Sequence, residues 1–363
     1  MSKLLDRLSR QLEETTGIVE RAEIIARIAS NLARIGEFEE ARQRLRELRA
    51  NFGDGSSGRV MVWIMLAEGL VYHYESLSPT ALDRIMRAQL LGRSMGYDVF
   101  VSLASAWRAH IEFELSNFDS MVESLSLAID KLEDSDHDAQ TRIAIVLCNS
   151  HLICGNHFQA QKWFVRGREH AIKNGDQASI EAMLYNKATF GLAWVRAARC
   201  CNDRDATDLS FIRQEIMSAK NLQDLTGVVA LQSHIHLWNA RLYILDGKYV
   251  EAIEQLSTIR GKTPFAVHNF SQALIDLEIS YCLFGLGKVD EALSLYQKID
   301  LQNLLMLDVD DLLVATWMQY RMSCEDGEFG KADELLGRLD EIRCRYIDTR
   351  ASLATKLVQF DQA

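Results

Sequence analysis

The 363-residue sequence predicts an all-α protein, a single solenoid domain of about eight antiparallel helix hairpins. Two observations carry that prediction. Only two prolines, Pro79 and Pro264, interrupt long stretches of Ala, Leu, Glu, Arg and Gln, which are strong helix formers. In addition, one short phrase returns: "GKYVEAIEQL" at 247–256 becomes "GKVDEALSLY" at 287–296. Such self-similarity at a fixed period marks a repeat array.

Written as Gly-x-aromatic-x-x-Ala, the phrase begins at Gly36, Gly155, Gly247 and Gly327, with Ala41, Ala160, Ala252 and Ala332 five residues on. His157 takes the ring position after Gly155, and Val289 takes it after Gly287. Ser76 with Ala81, and Ser116 with Phe118, fill the intervening places. The turns from 36 to 155 are thus 39 or 40 residues apart, as are those from 247 to 327, and a gap of 92 separates the two sets. That gap fits two hairpins if one carries an insertion.

Each element follows from this pattern. An amphipathic first helix runs up to each turn residue, as "ALIDLEISYCLFGL" does before Gly287. The turn glycine ends it in the left-handed conformation, and the small Ala lets the second helix approach the first. Helix pairs of this kind bury their apolar faces only by stacking on neighbours. Repeats occupy about 1–176 and 223–363. Between them, about 177–222 form an irregular hairpin with an overlong first helix and a turn near Asn202–Asp205. "DGSSG" at 54–58 is a flexible linker by composition, and "YIDTRASLATKLVQF" is a terminal helix capping the last repeat.

The repeated phrase resembles the turn and second helix of the tetratricopeptide repeat, over nearly the whole chain. The period departs from that family's usual value of about 34 residues. Second helices close on "SMGYD", "KNGD" and "LEDSD" where the family often has proline. This longer variety is similar to the repeats of kinesin light chains, bacterial peptide-pheromone receptors and the sensor arms of large bacterial transcription activators. The resemblance implies a right-handed superhelix with a concave ligand groove.

In the repeats so resembled, one row of first-helix residues faces the groove. Six residues before each turn the row reads Ser30, Leu70, His110, Asn149, Arg241, Tyr281 and Arg321, flanked by Trp63, His73, Tyr74, His234 and Trp317. The expected partner-binding residues are His73, Tyr74, His110, Asn149, Arg241, Tyr281, Trp317 and Arg321. Arg241, Tyr281 and Arg321 share one helical phase in consecutive repeats, a cationic strip suited to an acidic or C-terminal-carboxylate peptide.

Composition excludes other classes. A formal net charge of −11 does not fit a general nucleic-acid binder. No apolar run reaches membrane-spanning length, and the charged start lacks a signal-peptide core. Seven cysteines without a Cys-x-x-Cys pair indicate a reduced, cytoplasmic protein. The imidazoles of "HIH" at 234–236 diverge on a helix, and His137–Asp138 lacks further ligands. No phosphate loop, nucleophile elbow or His-Glu-x-x-His occurs. The expectation is a non-catalytic scaffold without cofactor or metal that binds a protein or peptide, with self-association left open. The alternative is a ligand-responsive regulator acting through a partner polypeptide.

Overall fold

Eight tight turns set the architecture. A computed structural model describes residues 3–53, 55–202, 209–226, 232–261 and 271–361, all helices and turns without a strand. After α1 (Lys3–Glu14), helices pair in chain order. The first four pairs are α2 (Ile18–Arg34) with α3 (Phe38–Phe52), α4 (Gly58–Ser76) with α5 (Thr80–Ser94), α6 (Asp98–Glu114) with α7 (Phe118–Asp130), and α8 (His137–Ile153) with α9 (His157–Asn174). Next come α10 (Gln177–Cys200) with α11 (Ser210–Thr226) and α12 (Gln232–Leu245) with α13 (Tyr249–Ile259). The last are α14 (Gln272–Gly285) with α15 (Val289–Tyr296), followed by the short α16 (Leu301–Leu305), and α17 (Val309–Glu325) with α18 (Phe329–Leu357).

Every first helix ends on one left-handed residue: Gly36, Leu77, Ser116, Gly155, Asn202, Gly247, Gly287 or Gly327. The following amide then reaches a carbonyl five residues back, as Lys248 does to Tyr243 (2.8 Å) and Lys288 to Leu283 (3.0 Å). This geometry satisfies the orphan carbonyls of the helix end. The alanines of the phrase are buried, Ala41, Ala252 and Ala292 completely. Tyr249 closes its turn against α14, where a Cβ on Gly285 would lie 2.4 Å from the tyrosine ring.

The single domain expected from the sequence divides by its contacts into two compact units. One comprises 1–151, 157–183 and 356–363, and the other 152–156 and 184–355. The division at 183/184 falls inside α10, within the hairpin read as irregular. That helix is indeed overlong, at 24 residues. Its turn begins at Asn202, while the expected remainder to Asp205, like Asp54 of the linker and Pro264, lies outside the described residues.

One expectation changes and another is extended. The capping helix is not separate: α18 runs unbroken for 29 residues into a 3-10 turn at Val358–Phe360, because no proline and, after Gly337, no glycine interrupts it. "LEDSD" and "KNGD" do follow the ends of second helices, the Asp176 amide reaching the Ala171 carbonyl at 2.8 Å, but their last aspartates also serve the next hairpin. Asp136 Oδ1 accepts from the Ala139 amide and Asp176 Oδ1 from the Ser179 amide, both at 3.1 Å. They are N-caps of the next hairpin.

Candidate functional site in the N-terminal unit

The first helices α2, α4, α6 and α8 line a polar cavity of about 40 Å³ walled by Arg27, Arg34, Trp63, Trp107 and Arg142, with Asp138 and Asp176. A larger space of about 340 Å³ shares Arg27, Trp63, Leu103 and Asp138 with it and adds Glu20, Glu23 and Asp136. Cavities of that larger size are typical of ligand pockets.

Three guanidiniums face two carboxylates in the smaller cavity. Arg27 Nη2 lies 3.0 Å from Asp138 Oδ2, and Arg34 Nη1 lies 2.9 Å from Asp176 Oδ2. Burial works against the Arg34 charge, but Asp176 more than offsets it and its pKa is raised. The same pairing holds the Asp176 carboxyl below its ordinary value despite burial.

Arg142 has no such partner among the described residues. Its residue is 4% exposed and its Nε is buried without a hydrogen-bond acceptor. The guanidinium carbon stacks 3.5 Å from the Trp107 ring centre. Burial, with the like charge of Arg34 adding to it, pulls the Arg142 pKa down to about 10. A stacked cation with no ion pair of its own, which Asp176 and Glu114 reach only from beyond contact, stands at the wall of a cavity as a ready carboxylate receptor.

The expected groove residues fall into two groups. In the N-terminal unit, Tyr74 and His110 both touch Trp107, at ring-centre distances of 6.1 and 5.6 Å, and Tyr74 touches His73 at 4.8 Å. His73 and His110 are buried and both approach Glu114. Asn149 is buried. In the C-terminal unit, Tyr281 and Trp317 meet at 5.8 Å, and Arg321 lies 5.7 Å over Trp317. Arg321 is exposed and pairs with Glu325 one turn on, at 2.9 Å.

Arg241 does not join an open cationic strip. It is buried, with Nε 2.9 Å from Glu278 Oε1 and Nη2 3.8 Å from Asp311 Oδ1, and Arg196 engages the same two carboxylates. Its charge is satisfied inside the protein. Of the other motifs, His236 Nδ1 lies 2.7 Å from Gln255 Oε1, and His137 Nδ1 lies 3.1 Å from His170 Nδ1.

The residues that sequence reasoning missed are Arg27, Arg34, Trp107 and Arg142. A signal for one of them was present. Seven residues before Ser30, Leu70, His110 and Asn149, two helical turns along the same face, stand Glu23, Trp63, Leu103 and Arg142. All four line one or both cavities. The row lining the cavities sits two turns further from the hairpin turns than the expected row.

The fold is one of stacked helix hairpins, and it is shared with a solved structure of a Rap protein complexed with competence and sporulation factor. The likeness has a TM-score of 0.57 at 13% identity and covers 95% of this chain and 98% of that one. No protein-family model and no curated protein matches the chain. Among the described residues no helix is long and apolar enough to cross a membrane.

Proposed function

We propose that this chain is a non-catalytic scaffold, of the long-period tetratricopeptide type, that binds a peptide or protein segment in the groove of its N-terminal unit. The observation that carries the proposal is the unpaired Arg142 guanidinium stacked on Trp107. A buried charge without a partner is strongly unfavourable, and an entering carboxylate relieves it. The planar fork of arginine accepts a carboxylate with two parallel hydrogen bonds. That suits a C-terminal carboxylate or an acidic side chain. The adjoining larger cavity has the opposite sign, with Glu20, Glu23 and Asp136 on its walls. A peptide anchored by its carboxylate at Arg142 can place an amino group there.

A second reading is favoured by one specific observation: the Rap protein of similar fold is complexed with competence and sporulation factor. By analogy the ligand of this chain is a signal, and its binding controls a partner polypeptide. The test compares peptide retention from a defined synthetic library by the wild type, Arg142→Gln and Arg321→Gln, read by mass spectrometry. Retention lost in the first variant and kept in the second supports the assigned groove. The reverse pattern refutes it.

A further inference from the structure

His110 and Glu114 stand four residues apart on α6 and therefore on one face. His73 reaches the same point from α4, the first helix of the preceding hairpin. His110 Nε2 lies 3.2 Å from Glu114 Oε1, and His73 Nε2 lies 3.5 Å from Glu114 Oε2. The three donor atoms are all within 4.8 Å of one another. Ligands bound tetrahedrally to zinc at about 2.0–2.1 Å are themselves about 3.3 Å apart. The two imidazole approaches, each to a different oxygen of the Glu114 carboxylate, are already about that long.

We infer that His73, His110 and Glu114 form a binding site for one divalent transition-metal ion of the Zn²⁺ class. The proposal departs from the expectation of a metal-free chain and stands independently of the peptide reading. Two imidazoles and one carboxylate select zinc-like ions over calcium or magnesium, which prefer oxygen donors. The imidazoles are 4% and 7% exposed, whereas the Glu114 side chain is 26% exposed. The ion thus has a route from solvent, and its fourth position opens to water or a ligand group.

The surroundings fix the ligating edges. Tyr74 packs on the His73 ring and Trp107 on the His110 ring, both edge-on. His110 Nδ1 is buried without a partner, so the polar interaction of that ring runs through Nε2, toward Glu114. With its proton on Nδ1, Nε2 presents a lone pair to the ion. Bound there, the ion ties α4 to α6 beside Trp107 and braces one wall of the Arg142 cavity.

The experiment uses the full chain, stripped with EDTA and titrated with Zn²⁺ against a chromophoric chelator. Wild type binds one equivalent. Glu114→Gln and His73→Asn each weaken binding by at least about tenfold, with circular dichroism unchanged. Because His73 is buried, Glu114→Gln alone decides the matter if His73→Asn fails to fold. Co²⁺ substitution gives a tetrahedral ligand-field spectrum without a thiolate charge-transfer band, which separates this site from the seven free cysteines. The proposal is overturned if wild type binds no equivalent, if Glu114→Gln binds as wild type does, or if the cobalt spectrum carries the thiolate band.

Discussion

Arg142 lies with its guanidinium carbon 3.5 Å from the ring centre of Trp107, and no carboxylate pairs with it among the described residues. Its neighbour Arg34 has Asp176, so the two arginines of one cavity are in opposite electrostatic states. Replacing a buried, uncompensated charge by an apolar group of similar length removes a desolvation penalty. Arg142→Met should stabilise the free protein by about 1–3 kcal/mol, less the cation–π attraction of about 2 kcal/mol at most. Calorimetry should show an unchanged or higher melting temperature together with lost ligand binding. A large fall in melting temperature would mean that Arg142 is structural.

The C-terminal unit behaves in the opposite way. Glu278 is fully buried between Arg196 and Arg241, and Asp311 completes the network. Breaking such a group by removing one member leaves a buried charge unpaired. Glu278→Ala should cost about 3–5 kcal/mol, measured by urea unfolding. Arg241→Glu should be comparably disruptive, while Arg321→Glu, at an exposed one-turn pair, should change stability by less than about 1 kcal/mol. Equal effects of the two charge reversals would contradict the assigned environments.

Hairpin packing is tested at the small residues. Ala252 and Ala292 are fully buried where the second helix meets the first. Leucine at either position overpacks the contact and should lower stability by about 1–3 kcal/mol. A neutral result in thermal melts would indicate room that the packing does not show.

The helices and turns were legible because they are written locally. A left-handed residue recurring every 39 to 41 positions outside the irregular hairpin, with Leu77 one place beyond the expected Ser76, and a small residue soon after it are constraints within one hairpin. Even Ser116, standing where glycine is usual, adopts the expected φ of 56°. The site was less legible because it is assembled across hairpins. Whether an arginine is paired depends on a helix far away in sequence: Arg34 finds Asp176 at 142 residues' separation, and Arg241 finds Glu278 at 37. Periodicity marks a face of each helix but not how far along that face a cavity lies. The repeat pattern points to the row nearest the turns, whereas Trp63 and Arg142 lie two turns further along the same face.

Acidity should act through Asp136, the N-cap of α8. Burial raises its carboxyl pKa from 3.8 to about 6, Asp138 adds to this, and the Ala139 amide and Arg27 oppose it. A carboxyl raised on folding holds its proton longer in the folded state. Its contribution is therefore most favourable below the unfolded pKa, declines as pH rises to about 6, and is constant above. Asparagine keeps the cap and cannot ionise. The stability of Asp136→Asn relative to wild type should rise between about pH 4 and 6. A pH-independent difference would place the carboxyl at its ordinary pKa.

Arg142, as proposed above, awaits a carboxylate. The most direct measurement is isothermal titration of the purified chain with short peptides retained by it, each prepared with a free C-terminal acid and as the C-terminal amide, all other acidic side chains replaced by their amides. The account predicts that amidation weakens binding at least about tenfold, in line with a well-placed arginine worth about 2 kcal/mol at an interface, and that Arg142→Gln abolishes the distinction. Equal affinity of acid and amide for the wild type would contradict it.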